Sequence, residues 1–467
     1  MVMIGARIVG AAVLALVVAS CAETPPPKKA ARPSVRINDN PYPSTYVRYP
    51  GVPTLIRGAT LYDGEGGRID DASLLIADGT VQAVGGPEVT APAGAVVIEA
   101  AGKWVTPGII DVHSHLGDYP SPGVESHSDG NEGTAPARPD VWAEHSVWPQ
   151  DPGFSRALAN GGVTTLQILP GSANLFGGRS VVLKNVYART VQGMKFPAAP
   201  YGLKMACGEN PKRVYGGKGG PATRMGNVAT TRATWIKAQE YKRKWDRYDA
   251  VGGDIPVRDL AMDTLRNVLA GKIRVHNHCY RADEMAIMID MSREFGYKIA
   301  AFHHAVEAYK IADLLAKEGI CAAMWADWYG FKMEAYDAIQ ENIPFVDKAG
   351  GCAIVHSDDA NGIQRLNQEA AKALANGRRA GHVISDASAW RWLGINPARA
   401  LGIDDRTGSL KVGKMADVVL WNGDPFSVYT RPERVWVDGA LLYDASNPRR
   451  RPVSDFELGQ PGEGDVK

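Results

Sequence analysis

The chain has 467 residues, 45% hydrophobic and 22% charged, an ordinary globular composition that argues against extensive disorder and leaves room for more than one domain. Its formal net charge is +1, so no overall field points to nucleic acid or to a strongly acidic partner, and those classes are set aside.

The chain opens with MVMIGARIVGAAVLALVVASC, a lone basic residue, Arg7, and then an apolar run ending in small residues and Cys21. That is the layout of a secretory signal, and the run is short for a bilayer-spanning helix, which takes about 20 apolar residues. Residues 1–20 are read as a signal peptide. VASC, Val18 to Cys21, resembles a bacterial lipobox, whose cysteine is lipid-modified and becomes the first mature residue. Ala22 after it, rather than Asp, resembles the pattern of outer-membrane retention. The expectation is an exported lipoprotein facing the periplasm, with a soluble periplasmic protein as the alternative. Residues 21–50, rich in Pro and basic side chains and without apolar periodicity, read as a tether to the membrane.

Residues 51–105 alternate strand-like runs with the turn pairs Asp63-Gly64, Asp78-Gly79 and Gly85-Gly86. The same style returns over 403–450, and 451–467 reads as a tail. Two all-β pieces at opposite ends predict a small composite β-sandwich with a large domain inserted between them. That domain, 106–402, alternates strand-like with helix-like runs, which predicts a parallel α/β architecture. Its strand candidates lie at 108–115, 163–169, 180–185, 201–207, 272–278, 298–304, 320–325 and 352–358. Eight of them match a TIM-type (β/α)8 barrel. Residues 208–260, Gly/Lys-rich and then helical and charged, predict an excursion over the barrel mouth. Cys207, Cys279, Cys321 and Cys352 are widely spaced in apolar segments and are expected as buried free thiols.

Four of the eight candidates end in His or Asp: His113 with His115, His276 with His278, His303 with His304, and His356 with Asp358. Buried polar groups cost free energy unless paired, and in such barrels the carboxyl ends of the strands carry the chemistry. Side chains at i and i+2 of a strand share a face, so His113 and His115 can converge on one ion. Imidazoles and a carboxylate on one rim suit Zn²⁺ or a similar divalent ion.

With these residues in view, the sequence resembles the amidohydrolase superfamily of metal-dependent hydrolases over about residues 52–430. TPGIIDVHSH resembles its strand-1 signature, and GATLYDGEG and NPARALGIDDRTGSLKVGKMADVVLWNGDP resemble its flanking sandwich. GGVTTLQILPGSANLFGG, HCYRADEM, HHAVEAYK and HSDD are similar to imidazolonepropionase-like members and related dipeptidases. The resemblance implies His113, His115, His278, His304 and Asp358 as ligands of one or two divalent ions, with zinc favoured. Lys204 and Glu209 are candidate bridging ligands of a two-ion site, and Lys184 on the third strand is a further lysine to consider. The implied mechanism is attack of metal-bound hydroxide on an amide-like carbonyl, with Asp358 as base and then acid and His304 as the second catalytic residue. Asp359 reads as a capping acid, and His276, His303 and His356 as supporting donors or core residues. Arg213, Tyr280 and Arg281 follow the fourth and fifth strands and are candidate substrate contacts, an arginine suiting the carboxylate of a dipeptide or N-acyl amino acid. Trp325 and Trp328 wall the pocket or pack the core. The expected activity is hydrolysis of a C–N bond in a small amide or peptide. The alternatives are a cyclic amidase (imidazolonase) or deaminase, and an inactive binding lipoprotein; oligomerisation is left open.

Overall fold

The computed structural model describes residues 35–450, so the signal peptide, the lipidation site Cys21 and the tail 451–467 lie outside the described residues. Five strands come first: β1 (Thr54–Tyr62), β2 (Arg68–Ala77), β3 (Thr80–Gly85), β4 (Val96–Glu99) and β5 (Trp104–Pro107). Eight more follow: β6 (Ile109–Ser114), β7 (Val163–Ile168), β8 (Phe176–Lys184), β9 (Gly202–Ala206), β10 (Arg274–Cys279), β11 (Ile299–His304), β12 (Cys321–Met324) and β13 (Cys352–Val355). The chain closes with β14 (Val418–Trp421), β15 (Pro432–Val437) and β16 (Ala440–Asp444).

The two chain ends build one mixed sheet in the order β16-β15-β14-β5-β1-β2-β3, with β4 also on β1. The β2–β3 turn is Asp78-Gly79, both left-handed at φ 51° and 82°, as a tight hairpin requires. Strand β1 forks the sheet. Thr54–Arg57 pair with β4, Thr60 and Leu61 pair with β5, and register shifts flank Ala59 between them. The predicted sandwich is therefore a single hydrogen-bonded sheet that splits along one strand. Ile56, Leu61, Leu74, Ile76, Leu420 and Trp436 give it a core of its own.

Strands β6 to β13 neighbour one another in chain order and form a nearly closed barrel. One strand departs from the parallel expectation, since β8 runs antiparallel to both β7 and β9. The cause is loop length. Seven residues, 169–175, separate Ile168 from Phe176, whereas a parallel return needs a crossover of a dozen residues or more. The seam between β13 and β6 is bridged at its carboxyl ends. The Asp358 amide donates to His113 O at 3.0 Å, and the Ser357 amide to Asp111 Oδ1 at 3.2 Å. The Ser357 hydroxyl also donates to the Asp111 carboxyl.

The four cysteines are paired, against the expectation of free thiols: Cys207 with Cys279 and Cys321 with Cys352. Adjacent barrel strands bring their Cα atoms to 5.4 and 4.4 Å, although 72 and 31 residues separate them in sequence. Part of the expected tether is also held by the domain. Tyr46 donates to Asp438 at 2.6 Å, the Thr45 amide to Gln192 O at 3.0 Å, and Lys272 pairs with Asp39 at 2.7 Å. The excursion after β9 stays beside Lys332 and Glu334 from Glu209 as far as Arg224. The helix Arg224–Val251 starts there, with Arg224 paired to Glu284 at 3.1 Å and to Glu334. It then buries Trp235, Tyr241, Trp245 and Tyr248 against the helices Leu260–Leu269 and Ala282–Phe295. Among the described residues no helix is long and apolar enough to cross a membrane.

Candidate metal centre

The strand ends converge. Asp358 Oδ1 lies 3.2 Å from His113 Nε2 and 3.2 Å from His115 Nε2, and its other oxygen is 4.0 Å from His304 Nδ1. Ligand atoms of His113, His115 and Asp358 fall within 4.8 Å of one another, and so do those of His113, His304 and His356. The His278 ring is 4.7 Å from that of His304, centroid to centroid. Two of these residues sit in left-handed backbone, His304 at φ 69° and Asp358 at φ 64°. Non-glycine residues are strained there, and such strain clusters at functional sites because the strand must turn its last side chain inward.

Hydrogen-bond balance fixes what the rings present. His115 Nδ1 is 2.9 Å from Leu169 O. A carbonyl only accepts, so that nitrogen carries the proton, and in the neutral ring Nε2 is a bare lone pair. It faces an oxygen of Asp358, so two acceptors meet at 3.2 Å, a contact stable only with a proton or a cation between them. Around it, His113 Nε2, both ring nitrogens of His278 and of His356, and His304 Nδ1 are buried without a hydrogen-bond partner. Burial holds the imidazoles of His113, His278 and His304 well below their ordinary value, and lowers that of His356 to about 3, so all four rings are neutral. Burial opposes ionisation of Asp358 as well. Its contact with His115 and the nearby rings of His304 and His356 outweigh it, and the carboxyl is held below its ordinary range.

A chain of imidazoles supports this cluster from beneath. His113 Nδ1 is 2.9 Å from His303 Nδ1, and His303 Nε2 is 2.9 Å from His276 Nδ1. If His113 offers its Nε2 lone pair to an ion, its Nδ1–H donates to His303, whose Nε2–H donates to His276. Every tautomer in the row then follows from the first. His276 and His303, left open between supporting donor and core in the sequence, are buried supports.

Lys204 projects from β9 in register with His276, fully buried, and its Nζ has no partner. Burial lowers the amine to about 7. The other candidates lie elsewhere. Glu209 turns to Lys332 at 3.6 Å, and Lys184 ties the barrel to the sheet through Asp438 at 2.7 Å. Asp359 caps the following turn, accepting from the Asn361 and Gly362 amides. Arg213 is exposed, and Arg281 forks onto Asp283 with two 2.9 Å bonds beside the start of its helix, so neither arginine joins the cluster. Tyr280 does join it, stacked 5.4 Å from His304, and Trp325 lies 4.3 Å from the same ring.

Two residues have more prominence than the sequence suggested. His356 stands among the ligand candidates, and its position at the end of β13, beside Asp358, was the available signal. Lys332, in the loop after β12, places its ammonium 4.1 Å from the centre of the Tyr280 ring. Nothing in its local sequence announces that contact.

Residues 104–443 match the model of the amidohydrolase family, and the chain belongs to that family. Its members use divalent metal ions. The amidohydrolase tasK of Hapsidospora irregularis is 31% identical over 472 residues, 92% of this chain and 47% of that protein, so the chain spans about half the length of this relative. The crystal structure of an amidohydrolase from Thermotoga maritima MSB8 has 34% identity and a TM-score of 0.77, covering 84% of this chain and all of that one. An imidazolonepropionase of Pseudomonas putida is 24% identical over 400 residues, 78% of this chain and 90% of the relative.

Proposed function

We propose that the protein is a divalent-metal-dependent hydrolase that cleaves a C–N bond in a small amide or peptide. The observation that carries this reading is the acceptor-to-acceptor contact of His115 with Asp358, ringed by buried, unpartnered nitrogens. A cation resolves both at once. His113, His115, His278, His304 and Asp358 would hold it, with His356 available as a further nitrogen ligand, and this nitrogen and oxygen donor set suits zinc. A bound ion supplies acidified water and a polarised carbonyl. Asp358, ionised and within reach of the site, takes the proton of the attacking water and returns it to the leaving nitrogen. His304 holds its ring between Tyr280 and Trp325, against the reacting carbonyl, and those two rings keep bulk water out.

Lys204 favours a two-ion site. A neutral, unpartnered amine adds to carbon dioxide by forming an N–C bond and releasing one proton. The resulting carbamate would offer two oxygens as ligands to a pair of ions. The match to an imidazolonepropionase supports a second reading, opening of a cyclic amide. One experiment tests both: metal-loaded protein is incubated with dipeptides, N-acyl amino acids and cyclic amides, and products are identified by mass. Two fragments from one amide support the main reading, a gain of one water without fragments supports ring opening, and ammonia release supports a deaminase. An untouched panel contradicts the amide-cleaving and ring-opening readings and favours a binding role.

We also propose export with a lipid on Cys21. Two disulfides suit an oxidising compartment. Palmitate labelling that survives Cys21→Ser would remove the anchor.

A further inference from the structure

A cavity of about 370 Å³ has walls that include Asp118, Asp129, Glu132 and Asp140 and neither a lysine nor an arginine. None of the ligand candidates lines it, but its lining residues adjoin them. Asp118 lies three residues beyond His115. Pro170 follows Leu169, whose carbonyl holds the His115 ring. A side chain at Gly177 would meet Lys204 Cγ at 3.5 Å. The four acids are not equivalent. Arg138, behind the cavity, neutralises Asp140 at 2.9 Å and reaches Glu132 at 3.7 Å. No cation among the described residues pairs with Asp118, which is 1% exposed and whose Oδ1 has no hydrogen-bond partner.

A carboxyl buried without donor or counter-charge costs several kcal/mol if ionised, a cost that a bound cation would offset. We propose that this cavity is a substrate subsite for an organic cation, an ammonium or guanidinium group carried by the amide, with Asp118 as its counter-ion and Asp129 at the entrance. A metal ion is the less suitable occupant. Among the described residues, the only groups of three clustered His, Cys, Asp or Glu ligands are the two of the centre itself. The inference rests on the amidohydrolase reading only in calling the ligand a substrate.

The test reads binding rather than turnover. Four amides are titrated into metal-loaded protein by calorimetry: argininamide, N-acetylargininamide, norleucinamide and N-acetylnorleucinamide. They carry, in turn, both cations, the guanidinium alone, the ammonium alone and neither. At least one singly cationic probe should bind tenfold or more tightly than the neutral one, and which of the two does so identifies the cation as side-chain or terminal. Asp118→Asn should abolish that preference, and Asp129→Asn should reduce it severalfold. Equal binding of all four probes, no saturable binding by any, or a preference that survives Asp118→Asn overturns the proposal. Cationic probes that bind and yet are never cleaved, along with the wider panel, would keep the subsite and remove the hydrolase reading.

Discussion

Replacing Lys204 with Met should make the metal-free protein more stable while it removes the candidate bridging ligand of a second ion. In the folded chain the amine is lowered by burial from its ordinary 10.5 to about 7. Between those two values the unfolded chain holds a proton that the folded chain has lost. Stability therefore rises with pH across that window, by about 1.4 kcal/mol per pH unit. Below pH 7 the full cost of about 5 kcal/mol is present, and by pH 10.5 it has vanished. Met keeps the length of the stem and carries no charge, so the variant is free of this cost at every pH. Urea unfolding of chelator-treated wild type and Lys204→Met, in buffers free of carbon dioxide at pH 7, 8, 9 and 10, isolates the difference. Other titrating groups cancel between the two proteins. The stability gap should be largest at pH 7 and close steadily toward pH 10. Parallel curves with a constant offset would show that the amine titrates at its ordinary value, and the case for its carboxylation would fall with it.

Asp358→Asn should lower turnover by at least about a hundredfold, the usual scale of a lost acid–base group, with the circular dichroism spectrum unchanged. Undiminished turnover would take the proton-transfer role from Asp358. His303→Leu should weaken metal binding about 10- to 100-fold, because His113 loses the acceptor that fixes its tautomer. His303→Asn places an amide oxygen near the lost Nδ1 and should restore most of the affinity in a chelator competition, whereas equal losses in both variants would mean that only packing is at stake. Removing the Cys321–Cys352 link by double Ala substitution should cost about 4 kcal/mol in urea unfolding, from its separation of 31 residues. No change relative to wild type would show that the link does not form.

The eight barrel strands were legible because each is a short apolar run closed by a turn or by a polar pair, and length and flanks arbitrate such runs well. The direction of β8 was not read, although the short loop 169–175 contained the information. The convergence of His113, His115, His278, His304 and Asp358 was legible because they are polar residues at the ends of otherwise apolar strands. What could not be read is which long-range neighbours they have. Cys321 and Cys352 look isolated in sequence and are register partners across β12 and β13. Arg281 looked like a substrate ligand, but Asp283, two residues on, occupies its guanidinium. Lys332 was overlooked because its partners, Tyr280 and Asn210, come from other loops. Nothing in the sequence marks Asp118, and only the folded chain shows that it is buried with no counter-charge among the described residues.

The hydrolytic metal centre is tested most directly by titrating zinc into chelator-stripped protein while amine release from a cleaved amide is followed. Activity should be absent at the start and rise in proportion to added metal. The plateau should come at a whole number of equivalents: two if Lys204 is carboxylated, one if it is not. Full activity in the stripped protein, or none at any metal loading across the substrate panel, would contradict the claim that these histidines and Asp358 form a hydrolytic metal centre.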